Sequence, residues 1–234
     1  MTDQPNICEK CGTPWEQHED GSYYTVCDNC LRVSIRDNDR PREYMKASFD
    51  FYTAKRGYSP EVVPQIIKFL KIWVNDEGEK ITAPILMLRG NTNTGKTGAI
   101  WAIKTWIAMN AIDPFIGGHF LRCPDFINKL TEKEWGEKGI YRDVIYKKRM
   151  LFLDDLGLER HSIATSNQIV DLIDYRSVHD LPTVITTNYT GEDILKNYDP
   201  RLLSRIWAGV VIVMKGTADR LERGIILNEK EKSK

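Results

Sequence analysis

No run of about 18 apolar residues occurs anywhere in the 234-residue chain, so no segment reads as a bilayer-spanning helix and no membrane partner is expected. The first residues, MTDQPNICEK, lack a basic start followed by an apolar core, and they read as no secretion signal. Both absences point to the cytoplasm, where thiols stay reduced. Net charge is missing too. The 33 basic side chains balance 33 acidic ones, which removes any general pull toward nucleic acid or anionic membrane and leaves DNA contact to a local patch. No internal repeat occurs, and low complexity is confined to the tail EKEKSK. With 41% hydrophobic and 28% charged residues, a disordered or fibrous chain is excluded. The length allows one full domain and a small second one.

Cysteine is scarce beyond residue 30, where Cys123 stands alone between Arg122 and Pro124 and reads as a buried strand-end thiol. The other four are crowded at the start. Cys8 and Cys11 form one C-x-x-C, and Cys27 and Cys30 form a second. Paired knuckles of this spacing match a four-thiolate Zn2+ site. A two-residue spacer lets one tight turn aim both sulfurs at one ion. Four thiolates close the tetrahedron and leave no position for water, so the metal is structural, and His18 reads as surface. Residues 1–34 are too few to bury much core, so metal binding would supply much of their folding energy. Acids in this ribbon (Glu9, Glu16, Glu19, Asp20, Asp28) outnumber bases (Lys10, Arg32), which favours a protein partner over phosphate.

Residues 35–47 are charged and poorly periodic and read as a linker. Beyond them, Val62, Ile66, Ile67, Leu70 and Ile72–Trp73 recur at helical spacing, which predicts a helix from about Pro60 to Val74. Short apolar runs then alternate with amphipathic stretches. The runs are Ile85–Leu88, Phe120–Leu121, Met150–Leu153, Val184–Thr187 and Val210–Met214. Helices are expected between them, for example Gly98–Met109 and Ser166–His179, the latter with an apolar stripe of Ile169, Leu172 and Ile173. Alternation of this kind predicts an α/β domain over residues 48–234, with a parallel five-stranded sheet covered by helices on both faces.

Directly after the first strand stands Gly90-Asn91-Thr92-Asn93-Thr94-Gly95-Lys96-Thr97, a complete G-x-x-x-x-G-K-T in a strand–loop–helix setting. Its glycines let backbone amides turn inward around phosphate oxygens, and the following helix adds its positive end. Lys96 is placed to reach the β- and γ-phosphates of ATP, and Thr97 to offer its hydroxyl to Mg2+. Met150–Asp155 is an apolar strand ending in two acids. Asp154 is assigned to Mg2+ and Asp155 to orienting or deprotonating the attacking water. Val184–Asn188 is another strand ending in an amide, and Asn188 is a candidate to hold that water or the γ-phosphate.

Together these residues resemble the AAA+ ATPases of the bacterial and phage helicase-loader group, the DnaC and DnaI type, with IstB-type transposition ATPases as near relatives. The resemblance covers about Ser48 to Arg223. It rests on GNTNTGKT, LFLDDLG, NQIVDLIDYR, VITTN and DPRLLSRI. It implies a three-layer αβα AAA+ domain without a C-terminal lid. It makes Lys96 and Thr97 Walker A, Asp154 and Asp155 Walker B, and Asn188 sensor 1. Arg205 matches the arginine finger that completes a neighbouring subunit's site, and Arg220 the basic motif that reads the γ-phosphate, with Arg223 its competitor. A planar, permanently charged guanidinium suits the finger role. Where the group usually has a second Walker B glutamate, this chain has the shorter Asp155.

The resemblance implies an ATPase, slow or partner-stimulated, that self-assembles through its ATP site. Such a protein binds a replicative DNA helicase and delivers it onto single-stranded DNA. The expected DNA-facing loops are Glu159–Thr165, with Arg160 and His161, and Trp135–Lys148, with Trp135, Tyr141, Arg142, Lys147 and Lys148. Two alternatives stay open: an IstB- or TnsC-like transposition regulator that oligomerises on duplex DNA, and a nucleotide-controlled adaptor with negligible turnover.

Overall fold

The structure is a computed structural model. It describes residues 6–7, 9, 14–15, 32–33, 36, 40–50, 62–74, 83–111, 118–132, 145–146 and 150–215. Cys8, Cys11, Cys27, Cys30 and Arg220 lie outside the described residues. Near the start, Asn6–Ile7 and Pro14–Trp15 form a short antiparallel ladder.

Among the described residues, eleven elements make up the main body. They run α1 (Val62–Val74), β1 (Ile85–Arg89), α2 (Lys96–Asn110), β2 (His119–Arg122), α3 (Cys123–Glu132) and β3 (Leu151–Leu156). They continue with α4 (Ile163–Val178), β4 (Thr183–Thr187), α5 (Gly191–Asn197), α6 (Pro200–Trp207) and β5 (Val210–Val213). All five strands are parallel, in the order β2-β3-β4-β1-β5.

Alternation along the strands divides the core in two. Leu86, Leu88, Phe152, Val184 and Ile212 face α1 and α2, where Phe69, Leu70, Ile100, Trp101 and Ile103 meet them. Ile85, Met87, Leu121, Leu153 and Ile185 face the opposite way, onto α3, α4, α5 and α6 through Phe126, Ile169, Leu172, Ile173, Ile194, Leu203 and Ile206. Burial on both faces is why the central strands read as unbroken apolar runs. The expected five-stranded parallel α/β architecture is therefore present, and the three expected helices lie within two or three residues of their sequence-derived limits. Among the described residues, no helix is long and apolar enough to cross a membrane.

Residues 40–47 pack against the domain. Ala47 joins the core, and Arg40 is buried, its guanidinium donating to Thr105 Oγ1 at 2.7 Å on α2. Tyr44, in the 3-10 turn Arg42–Tyr44, stacks on Trp101 with ring centroids 6.1 Å apart.

Candidate functional site

The loop between β1 and α2 sits at the carboxyl edge of the sheet, flanked by β4 on one side and β5 on the other. At Gly90 a Cβ would stand 2.4 Å from the Met214 carbonyl oxygen, so the loop fits only with glycine there. Gly95 takes a left-handed φ of 87° and aims the first turn of α2 across the loop. Thr92, Asn93, Gly95, Lys96, Thr97, Asp155 and Asn188 line a cleft of about 380 Å³. Tyr44 and Leu158 border it, and neither was singled out from the sequence.

Lys96 is 7% exposed. Its ammonium donates to the carbonyls of Gly90 and Asn91, both at 2.8 Å, and to Asn188 Oδ1 at 2.6 Å. Lys96 and the amide after β4 are thus brought together across 92 positions of sequence. Burial draws the lysine's proton affinity down, and the charges of Asp155 and Asp154 oppose that.

Asp154 is 2% exposed. Thr97 Oγ1 donates to its Oδ2 at 3.0 Å, and Thr186 Oγ1, from the intervening strand β4, donates to its Oδ1. Burial raises the proton affinity of this carboxyl, against those two hydroxyl bonds. Thr186 also accepts the backbone N–H of Asp155 at 3.0 Å, so one hydroxyl seats both acids. Thr186 was not foreseen, though it stands two residues before the singled-out Asn188.

Asp155 departs from regular strand geometry. Pairing with β4 shifts register between Leu153 and Leu156, and Asp155 adopts φ 62°. The irregularity turns its carboxylate to the cleft, where it meets Arg122, the last residue of β2, at 3.1 Å. Bonding to Asp155 raises the proton affinity of that guanidinium further. Arg122 is a second residue that sequence reading missed. The only available signal was its position at the end of a predicted strand.

Arg205 lies on α6 and does not line the cleft. Its Nε donates to Asp174 Oδ1 on α4 at 2.7 Å. Arg201 is held by Asp199, the residue that caps its own helix. Of the two loops expected to face DNA, the first holds an exposed Arg160, but its Glu159 is buried. His161 packs against Tyr189 and Tyr198. Of the second loop only Ile145 and Tyr146 are described, and both are buried beneath Arg176. Cys123 is a free, fully buried thiol, as its sequence context predicts.

Asp154, Thr97 and Thr186 are hard oxygen donors, and together they offer one carboxylate. That suits Mg2+, which takes few protein ligands and shares its shell with phosphates and water. Among the described residues, no cluster of three or more His, Cys, Asp or Glu side chains forms a metal cage.

No protein-family model matches the chain, and no curated protein matches it by sequence. Solved structures do resemble it. DnaI is similar at TM-score 0.57 and 22% identity, covering 76% of this chain and 95% of its own. The DnaC helicase loader is similar at TM-score 0.57 and 22% identity, covering 75% of this chain and 100% of its own. The replication initiator DnaA, bound to AMPPCP and single-stranded DNA, is similar at TM-score 0.59 and 15% identity over 77% of this chain. The chain spans about half (52%) of that DnaA and nearly the whole of the two others. At these identities the likeness is one of fold: a parallel five-stranded sheet with helices on both faces.

Proposed function

We propose that this chain is an ATP-dependent helicase loader. The observation that carries the nucleotide reading is the convergence of Lys96, Thr97, Asp155 and Asn188 around one cleft from three different strand ends, with the buried Asp154 bonded to Thr97. The loader reading is supported by likeness to DnaI and to the DnaC helicase loader across nearly their full lengths.

In this reading, the amides of Gly90–Thr97 and the end of α2 hold the phosphates of ATP. Lys96 exchanges its carbonyl partners for the β- and γ-phosphates. Thr97 and Asp154 hold Mg2+, which when bound neutralises charge on the phosphates. Asp155 orients the attacking water and accepts its proton, and Asn188 fixes the water or the γ-phosphate from the other side. Arg205 leaves Asp174 to complete the site of a neighbouring copy, and Arg220 reads the γ-phosphate. Cys8, Cys11, Cys27 and Cys30 hold Zn2+ in an N-terminal ribbon of residues 1–34 that docks the helicase. Residues 48–234 form the ATPase domain, with 35–47 as the linker between them. ATP-driven self-assembly then sets the helicase onto single-stranded DNA.

The test is reconstitution with replicative helicase and circular single-stranded DNA. With Mg2+ and ATP, the chain is expected to bind the helicase and to raise strand displacement by it. Failure to bind helicase, with ATP-dependent oligomers forming on duplex DNA instead, would replace this reading with the transposition regulator.

A further inference from the structure

Glu159 is 4% exposed, and no role given above uses it. Its Oε2 accepts the Gly157 backbone N–H at 2.9 Å, and its Oε1 accepts the Tyr198 hydroxyl. His161 Nδ1 stands 4.0 Å from Oε1. Burial raises the proton affinity of the Cys123 thiol, and the charge of the same carboxylate adds to that. The His161 ring stacks on Tyr189, its Nε2 lies 2.9 Å from the Tyr189 hydroxyl, and it meets Tyr198 edge-on.

A buried carboxylate is costly unless fully bonded, and the segments that meet at this one share a property. Gly157 lies two residues after Asp155. Tyr189 follows Asn188. Cys123 follows Arg122. Of those neighbours, Asp155 and Asn188 form part of the cleft wall, and Arg122 pairs with Asp155. The packing leaves no slack. Gly157 holds φ 100°, and a Cβ there would stand 2.8 Å from the Tyr189 ring.

We propose that Glu159 is a positioning residue for the γ-phosphate end of the site. Through Gly157, Cys123 and the Tyr198–His161–Tyr189 group, it fixes the spacing of Asp155, Arg122 and Asn188. Glu159 touches no reacting atom, and the proposal rests on the nucleotide reading above.

The experiment uses the full chain with Glu159→Ala, Glu159→Gln and Tyr198→Phe. It measures MgADP affinity, MgATP affinity and turnover. Displacement by about 1 Å costs up to about 10²-fold in rate. Glu159→Ala is therefore expected to keep MgADP affinity within about threefold while losing preference for ATP over ADP, and turnover, by about tenfold or more. Glu159→Gln keeps an acceptor for Gly157 and a partner for Tyr198, and should recover both to within about threefold. Tyr198→Phe should fall between.

The proposal is overturned if Glu159→Ala matches the wild type, if ADP and ATP affinities fall by one common factor, or if Gln is as impaired as Ala. Should Glu159→Ala not fold, a Tyr198→Phe variant with unchanged ATP preference and turnover overturns it equally. A wild type that binds neither nucleotide sinks the nucleotide reading itself. Where both bind without turnover, the ATP-to-ADP ratio still decides Glu159.

Discussion

Asp154 is bonded by two hydroxyls, and burial outweighs them in setting its behaviour with pH. Burial raises its folded-state proton affinity, so it takes up a proton at a higher pH than an exposed carboxyl does. Keeping it ionised costs stability above that folded-state value, and the cost is relieved as the pH falls through it. Cation binding needs the ionised form. Mg2+-dependent nucleotide affinity should therefore decline on acidification at a higher pH than an ordinary carboxylate would give. Asp154→Asn should remove both the Mg2+ dependence and that slope, as titration calorimetry across pH would read. In the proposed mechanism Asp155 has the other task. Asp155→Asn should keep nucleotide affinity within about threefold and lower phosphate release by roughly 10²–10⁴-fold, the range of a general base. Normal turnover in that variant would remove Asp155 from the chemistry.

Among the elements, buttresses matter as much as strands. Arg176, on α4, is 1% exposed and donates to Thr183 Oγ1 and the Pro182 carbonyl, both at 2.8 Å, and to the carbonyls of Ile145 and Tyr146. Burial brings its proton affinity down to about 10. It ties the start of β4 to residues 145–146. Arg176→Ala strands several buried acceptors and should cost about 3 kcal/mol or more in denaturant unfolding, far above an exposed arginine. The strands were legible because a parallel strand buried on both faces is a plain apolar run, and the phosphate loop because its glycines and lysine have fixed spacing. What stayed hidden depends on contacts between strands. The Arg122–Asp155 pair joins two strand ends, Thr186 bridges two acids from a third, and the left-handed turn at Asp155 comes from a register shift. Helix α3 was not marked, since it follows β2 without a break and its apolar contacts are few: Cys123, Phe126, Ile127 and Leu130. Arg40 and Ala47 sit in a stretch read as charged linker, yet they pack on α2 through contacts that no periodicity announces.

At the scale of the whole molecule, the proposed self-assembly turns on Arg205. In one chain Arg205 is satisfied by Asp174, with 44% of its side chain exposed. A finger in trans contributes on the order of 10³-fold to phosphoryl transfer. Arg205→Ala should accordingly bind ATP normally and lose turnover or assembly. Mixing it with Lys96→Ala should restore part of the activity, because one interface then pairs an intact loop with an intact finger. A fully active Arg205→Ala would leave Arg205 as a surface cation bonded to Asp174.

The central claim is that the cleft around Lys96 is an ATP site, and calorimetric titration of MgATP into wild type and Lys96→Ala tests it most directly. Charge-assisted hydrogen bonds contribute about 1.5–3 kcal/mol each, so the account predicts one saturable site per wild-type chain and an affinity loss of roughly 10-fold to 10²-fold or more in a folded Lys96→Ala. Equal affinity in the two proteins, or no binding by the wild type, would contradict it.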